Sequence, residues 1–141
     1  MIAYFDTSAI APLIIEEAMS DSCRRLWNEA TRVASVRLLY PETRAALARA
    51  ERMGRLTAGQ LTDAVDELDS LIDQLDIIEL STEIARAAGE LAQRFGLRGY
   101  DAVHLAAGLA MNDADVVLVT GDHHLATAAQ AAGIATALTT P

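Results

Sequence analysis

Lysine is absent from this chain of 141 residues, and cysteine occurs once, as Cys23. A single cysteine excludes an internal disulfide and is typical of proteins of the reducing cytoplasm. Long apolar runs are also missing, since no stretch approaches the roughly 20 residues that span a bilayer. The N-terminus has neither the basic segment nor the long apolar stretch of a signal peptide. We therefore expect a cytoplasmic protein that makes no membrane contact.

Positive charge is scarce as well. The 11 basic residues, all arginine, stand against 20 acidic residues and leave a net charge of −9. This balance argues against broad electrostatic attraction to nucleic acid or to an anionic membrane. It leaves open a site of carboxylates that acts on phosphodiesters through a bound cation. Composition bias is the simpler explanation for the exclusive use of arginine, although arginine is also the better planar partner for phosphate.

The apolar residues that are present form short runs, which predict buried strands separated by helices. The chain is long enough to bury a core, and no linker or repeat divides it, so we expect one domain over residues 1–141. Strands are predicted at residues 2–5, 32–34, 77–80, 116–119 and 134–136. Helices are predicted at residues 8–17, 21–30, 41–53, 57–73, 82–95, 99–112 and 122–132. This alternation indicates an α/β fold with a parallel sheet covered by helices on both faces.

Four carboxylates stand at the ends of these elements. Asp6 follows the first predicted strand, and Asp122 follows the strand VVLVT after one glycine. In open α/β sheets, ligands bind at the carboxyl ends of the strands, where the strand order reverses. Asp101, in RGYDAVHLA, and Glu42, in YPETRAAL, fall near the starts of helices. The sequence therefore allows a single site to gather all four acids.

A cluster of acids carries an electrostatic cost that indicates what it binds. Two carboxylates about 5 Å apart repel by roughly 3 kcal/mol at an effective dielectric constant near 20. A bound cation relieves this repulsion, and ligands that are all oxygen favour Mg²⁺ or Mn²⁺. Thr7, Ser8 and Thr120 lie beside the acids in sequence and are placed to orient a carboxylate or a bound water.

Other interpretations of the same acids remain open. Asp6 and Asp122 suit helix N-caps, Asp101 suits a partner of a helix dipole, and Glu42 suits a solvated helix residue. Two further enzyme classes do not fit. Phosphatases of the haloacid dehalogenase type need a second aspartate where Ser8 stands, and a receiver domain needs a late lysine, which the chain lacks.

Four motifs in order, DTSAI, PETRAAL, YDAVHLA and TGDHHL, resemble the PIN-domain family and, within it, the VapC-type toxins of bacterial toxin–antitoxin pairs. The resemblance runs from Ile2 to about Thr136. It implies a three-layer α/β/α sandwich around a parallel sheet of five strands. It also implies a metal-dependent endoribonuclease that cuts single-stranded RNA and a cognate antitoxin as partner. Alanine-rich helices, such as the segment of residues 45–50, permit close packing and are consistent with a homodimer.

Carried over position by position, the resemblance places the acidic cluster of the family on Asp6, Glu42, Asp101 and Asp122, and its small hydroxyl residue on Thr120. Asp6 and Asp101 are then the main ligands of Mg²⁺ or Mn²⁺, with Glu42 and Asp122 completing the set. Arg44 and Arg98, close in sequence to Glu42 and Asp101, are predicted to contact phosphate. Many members have Arg or Lys after the last acid, where this chain has His123 and His124.

The remaining histidines and a pair of apolar residues have less specific interpretations. His123 and His124 are expected in an exposed first turn, and His104, one turn after Asp101, suits either a structural role or a contact with the cluster. Leu26 and Trp27 suit either the core or a groove for a partner helix. The alternative function is a PIN-like binding module without catalysis that acts only through a protein partner.

Overall fold

A parallel sheet of five strands forms the centre of the protein. In the computed structural model, which describes residues 1–140, the strands are β1 (Ile2–Phe5), β2 (Arg32–Val36), β3 (Asp76–Ile78), β4 (Val116–Thr120) and β5 (Ala135–Leu138). They lie side by side in the order β3-β2-β1-β4-β5, and every neighbouring pair is parallel. The α/β prediction and the expected number of strands are confirmed.

Seven helices connect and cover these strands over the described part of the chain. They are α1 (Thr7–Ile14), α2 (Ser20–Glu29), α3 (Leu39–Arg52), α4 (Ala58–Gln74), α5 (Thr82–Phe95), α6 (Gly99–Ala110) and α7 (His123–Ala131). Within residues 1–140, no helix is both long enough and apolar enough to cross a bilayer.

Alternation along β1 divides the core into two layers, since successive side chains of a strand point to opposite faces. Ala3 and Phe5 pack with apolar residues of α1 to α4, whereas Ile2 and Tyr4 pack with those of α5 to α7. Trp27 lies against Phe5, with ring centroids 5.4 Å apart, and so belongs to the α1 to α4 layer. The three-layer α/β/α sandwich is therefore present.

Every predicted boundary except the end of α1 holds within two residues, and the shifts have local causes. Strand β3 ends at Ile78, where the carbonyl accepts the Arg37 amide, and Leu80 beyond it is 43% exposed. Helix α1 ends at Ile14, three residues before the predicted end, because Ile15 is already extended. Strand β5 begins at Ala135, which follows Gly133 in a left-handed conformation with φ of 93°.

The strand order fixes where the loops meet. The chain crosses from β1 outward through β2 to β3, and returns to the other side of β1 with β4 and β5. The order reverses between β1 and β4, whose carboxyl ends lie next to each other. Asp6 directly follows β1 and Asp122 follows β4 after one glycine, so both acids stand at the position where open α/β sheets bind ligands.

Candidate active site

Asp6 is a buried carboxylate held on both oxygens. Its Oδ1 accepts the Ser8 hydroxyl at 2.7 Å and the Ala9 amide at 3.2 Å, so Asp6 is the N-cap of α1. Its Oδ2 accepts the Thr120 hydroxyl at 2.7 Å. The residue is only 3% exposed. The capping interpretation is therefore correct for Asp6, and it coexists with the placement of Asp6 at the meeting point of β1 and β4.

Thr120 joins Asp6 to the last acid. While its hydroxyl donates to Asp6, its oxygen accepts the amide of Asp122 at 3.0 Å. Asp122 in turn caps α7, because its Oδ1 accepts the Leu125 amide at 3.0 Å. Ser8 adds a second link across the sheet, since its hydroxyl oxygen accepts the Gly121 amide at 2.8 Å. The loops after β1 and β4 are thus tied together by hydroxyl groups.

Glu42 lies in the first turn of α3 and reaches back to the sheet. Its Oε1 accepts the Thr7 hydroxyl at 2.9 Å and lies 2.8 Å from Nε2 of His104. On the other side of the imidazole, Nδ1 lies 2.9 Å from the hydroxyl of Tyr4. Tyr4 and His104 are both almost completely buried. Glu42 therefore ends a hydrogen-bonded chain that begins inside the sheet.

Asp101 and Asp122 share one arginine. Nε of Arg98 lies 3.2 Å from Oδ2 of Asp101, and one of its terminal nitrogens lies 3.7 Å from Oδ2 of Asp122. Arg98 is the residue before α6, and Asp101 is in the first turn of that helix. The side chain of Arg98 is 78% exposed, whereas those of Asp101 and Asp122 are 18% and 29% exposed.

The pKa values of Asp6 and Glu42 move in opposite directions. Burial raises the pKa of Asp6 above its usual value, although His104 and the hydrogen bonds to Asp6 act against burial. Burial also acts to raise the pKa of Glu42, but the hydrogen bond and charge of His104 and the Thr7 hydroxyl outweigh it and leave that pKa lowered. The hydrogen bond to Asp101 raises the pKa of Arg98, and the charges of Asp122 and Glu42 add to this effect.

The sequence-predicted acids are therefore linked, but as two pairs. Asp6 and Glu42 are held by the neighbouring residues Thr7 and Ser8, and Asp122 connects to Asp6 through Thr120. Arg98 lies at the site, in ion pairs with Asp101 and Asp122. Arg44 instead donates to the Tyr40 hydroxyl at 3.1 Å and covers that ring, so its contact with phosphate stays a prediction.

The histidines separate into two kinds. His123 and His124 are exposed at the start of α7, as expected, and are hydrogen-bonded to Thr140 and to the carbonyl of Phe95. His104 contacts Glu42 directly. Tyr4 was not singled out from the sequence, although a tyrosine in a fully buried strand needs a hydrogen-bond partner. That requirement is the signal in the sequence from which a polar contact of Tyr4 could have been predicted.

The donor set fits a hard divalent cation in its chemistry. Asp6, Glu42, Asp101 and Asp122 offer only carboxylate oxygens, which Mg²⁺ and Mn²⁺ prefer. Burial raises the pKa of Asp6, so a nearby cation would favour the ionised form of this carboxylate. As the side chains stand in residues 1–140, no group of three or more His, Cys, Asp or Glu is arranged to hold a metal ion.

Comparisons with known proteins agree with this fold and its motifs. The model of the PIN domain family matches residues 3–131. Ribonuclease VapC49 of Mycobacterium tuberculosis is 41% identical over 132 residues, which cover 94% of this chain and 92% of that protein.

Two solved structures have the same fold. The crystal structure of Mycobacterium tuberculosis VapC20, described as a Sarcin-Ricin loop cleaving toxin, aligns with a TM-score of 0.69 at 19% identity, over 94% of this chain and 95% of that one. A toxin–antitoxin complex from Klebsiella pneumoniae aligns with a TM-score of 0.63 at 19% identity, over 85% and 86% of the two chains. Because the family match covers most of the sequence and a relative is 41% identical, the chain belongs to the PIN domain family.

Proposed function

We propose that this protein is a metal-dependent endoribonuclease that cuts single-stranded RNA and acts as the toxin of a toxin–antitoxin pair. The observation that carries the proposal is the network at the reversal of strand order. There, hydroxyl groups and Arg98 link Asp6, Asp122 and Asp101, and Thr7, the residue after Asp6, holds Glu42. The relative VapC49, a ribonuclease by name, supports the activity. The fold shared with the Klebsiella toxin–antitoxin complex supports the biological setting.

Asp6 and Asp101 are the proposed main ligands of Mg²⁺ or Mn²⁺, and Glu42 and Asp122 complete the set directly or through water. When bound, the cation supplies a Lewis acid that lowers the pKa of water and neutralises charge on phosphate. Ser8 and Thr120 hold the two oxygens of Asp6, so this carboxylate keeps one orientation.

The remaining steps belong to side chains of this chain. A carboxylate of the cluster accepts the proton of the water that attacks phosphorus in line with the leaving 3′-oxygen. The bond from phosphorus to that oxygen breaks, the oxygen takes up a proton from solvent water, and the products are a 5′-phosphate and a 3′-hydroxyl. Arg98 is suited to contact the phosphate, because its guanidinium is exposed beside two of the acids. Arg44, on the same helix as Glu42, is a proposed outer contact.

We further propose a cognate antitoxin as partner and a homodimer as the free form. An apolar surface supports contact with protein. Three adjoining depressions share Leu38 in their lining, and the exposed Leu80 and Tyr100 belong to the same surface. One of these depressions, of about 450 Å³, also includes Thr7 and Glu42. A protein bound on this surface would therefore lie beside the acidic site.

The test of the proposed activity uses purified protein, free of antitoxin, with a mixture of cellular RNAs and mapping of the ends produced. Parallel reactions contain Mg²⁺, Mn²⁺ or EDTA, and the Asp6→Asn variant is tested with Mg²⁺. Asp63→Asn is the matched control, because it removes the same charge from an exposed position of α4. Discrete cuts that need metal and Asp6 are expected. No cleavage by folded protein in either metal would favour the non-catalytic binding module.

A further inference from the structure

The hydrogen-bonded chain behind Glu42 joins three elements that are distant in sequence. Tyr4 is in β1, His104 is in α6, and Glu42 is in the first turn of α3. The contact from Tyr4 to His104 spans 2.9 Å, and the contact from His104 to Glu42 spans 2.8 Å. The tyrosine is 0% exposed and the histidine 2% exposed. Two polar side chains are thus buried in the α5 to α7 layer and are connected by hydrogen bonds to Glu42.

The direction of these hydrogen bonds follows from what each group can donate. An ionised carboxylate has no hydrogen to donate and only accepts. Oε1 of Glu42 lies 2.8 Å from Nε2 of His104, so that ring nitrogen is the donor of this bond. The Tyr4 hydroxyl lies 2.9 Å from the other ring nitrogen, Nδ1. The Thr7 hydroxyl and the His104 ring thus both donate to Glu42.

The two carboxylate oxygens of Glu42 have different hydrogen-bond partners. Oε1 accepts both the Thr7 hydroxyl and the imidazole of His104. Among residues 1–140, no hydrogen bond reaches Oε2. Two donors on one oxygen fix the rotation of the carboxylate, and the second oxygen keeps its lone pairs for a cation or a bound water.

From this geometry we propose that Tyr4 and His104 are positioning residues, which orient Glu42 for the bound cation through a buried chain of hydrogen bonds. The inference rests on the proposed function. Packing alone does not require these residue types, since phenylalanine and leucine fill similar volumes without burying a polar atom. An unsatisfied buried donor or acceptor costs about 1–3 kcal/mol. Burying these polar groups would therefore lower stability if one of the bonds were lost. Their role in orienting Glu42 accounts for their presence in the core.

The test measures Mn²⁺ binding by calorimetry on protein without RNA. Removing an outer partner of a metal ligand typically lowers metal affinity about 10-fold to 100-fold. We expect His104→Leu to weaken Mn²⁺ binding by about 10-fold, at the lower end of that range, and Tyr4→Phe by about threefold, because Tyr4 acts through a second bond. His104→Gln is the rescue variant, since its amide can donate from the position of Nε2, and its Mn²⁺ affinity should stay closer to that of the unmodified protein.

Ser20→Ala is the matched control for the loss of a buried polar group. The Ser20 hydroxyl is fully buried and donates to the carbonyl of Pro12 at 2.6 Å. This bond involves none of the four acids. This variant should lose stability and keep its Mn²⁺ affinity. Thermal melting of each metal-free variant identifies the folded ones, and Tyr4→Phe, which removes one oxygen atom, provides the test if His104→Leu does not fold.

The outcomes separate this inference from the proposed function. If the unmodified protein binds Mn²⁺ and cuts RNA, Tyr4→Phe and any folded His104→Leu bind Mn²⁺ more weakly, and His104→Gln binds more tightly than His104→Leu, the positioning role holds. If the unmodified protein binds and cuts, and folded variants at both positions bind Mn²⁺ equally well, the positioning role is wrong and the proposed function stands. If the unmodified protein neither binds Mn²⁺ nor cuts RNA, both are wrong.

Discussion

The inner and outer pairs of acids solve the same electrostatic problem in different ways. The inner pair, Asp6 and Glu42, is held by hydroxyl groups, a backbone amide and a buried imidazole. The outer pair, Asp101 and Asp122, shares one arginine whose side chain is 78% exposed. The inner pair is thus built into the fold, whereas the charge of the outer pair is balanced by a side chain that water also reaches.

This difference indicates at which acids a change of charge or of binding partner leaves the protein folded. Exposed ion pairs contribute little to stability, because water and salt weaken the attraction. Buried polar groups lose much more when a partner is removed. We therefore expect the loss of a group that supports the inner pair to lower stability, and substitutions in the outer pair to act mainly on binding of cation and RNA.

The largest effect is expected for Asp6→Asn. Removing an outer partner of a metal ligand costs up to about 100-fold in activity, so removing a proposed ligand should cost more than that. The metal-free variant should be at least as stable as the unmodified protein, because the amide keeps an oxygen for the Ala9 amide and has no charge to desolvate. Cleavage rates and thermal melting in EDTA check the two expectations. A large fall in melting temperature would mean that the buried charge stabilises the fold.

Thr120→Val should have the next largest effect, since it breaks the link between the inner and outer pairs. It removes the donor to Oδ2 of Asp6 and the acceptor for the Asp122 amide. The unsatisfied partners should lower the free energy of unfolding by about 1–3 kcal/mol, and cleavage should fall about 10-fold. Chemical denaturation and cleavage rates measure the two effects, and Thr120→Ser should restore most of both.

Thr43→Val is the matched control for Thr120→Val. Thr43 is also fully buried, but its hydroxyl has no hydrogen-bond partner within residues 1–140. Replacing this hydroxyl with a methyl group should leave the free energy of unfolding unchanged or raise it. If both variants lose the same stability, the bonds of Thr120 contribute nothing specific.

The opposite pKa shifts of the inner acids predict opposite dependences on pH. Burial raises the pKa of Asp6, so the folded state binds its proton more tightly, and stability falls as pH rises from about 4 through the folded pKa. For Glu42, burial is outweighed by His104 and the pKa is lowered, so its stabilising contribution is present above the usual carboxyl range and is lost as pH falls through the folded pKa.

Two variants measure these dependences separately. The stability of the unmodified protein relative to Asp6→Asn should decrease with rising pH, and its stability relative to Glu42→Gln should increase. Urea denaturation in EDTA at several pH values from about 3.5 to 7 covers the range in which carboxyl groups titrate. Difference curves with the same slope would contradict the contrast between the two acids.

Much of the fold could be predicted from the sequence, because short apolar runs and helical spacing are local signals. The four motifs and the rule for open sheets also brought Asp6 and Asp122 to one edge. The same rules explain the overlap between capping and site roles, since an acid after a strand is also the residue before a helix. Local pattern does not choose between those roles, and the structure shows that both are filled.

The supports of the site are harder to predict, because they depend on packing between distant elements. Tyr4 and His104 are 100 positions apart, and His104 and Glu42 are 62 apart. Their contacts depend on which face of β1 the tyrosine takes and on how α6 lies across the sheet. The bond from Arg98 to Asp101 has a spacing of three residues that a sequence can reveal, but the second contact, to Asp122, follows only from the sheet order.

The smallest effect is expected for Arg98→Gln, which changes the balance of charge in the outer pair. The guanidinium occupies the oxygens that a cation would also attract, so its loss should tighten Mn²⁺ binding by about threefold, an effect of the size of an exposed ion pair. The same loss should raise the KM for RNA, because a proposed phosphate contact disappears. Calorimetry with Mn²⁺ and cleavage kinetics at varied RNA concentration measure the two effects independently.

Arg86→Gln is the control for Arg98→Gln, because it makes the same change in net charge at an exposed position of α5. A change in Mn²⁺ affinity with Arg98→Gln but not with Arg86→Gln assigns the effect to the contacts with Asp101 and Asp122. Added salt should reduce that difference, since screening weakens interactions between exposed charges. If Arg98→Gln weakens Mn²⁺ binding instead, the arginine holds the outer acids in the orientation that the cation needs. The outer pair would then be organised by the protein in the same sense as the inner pair, and the two pairs would differ only in the exposure of the groups that hold them.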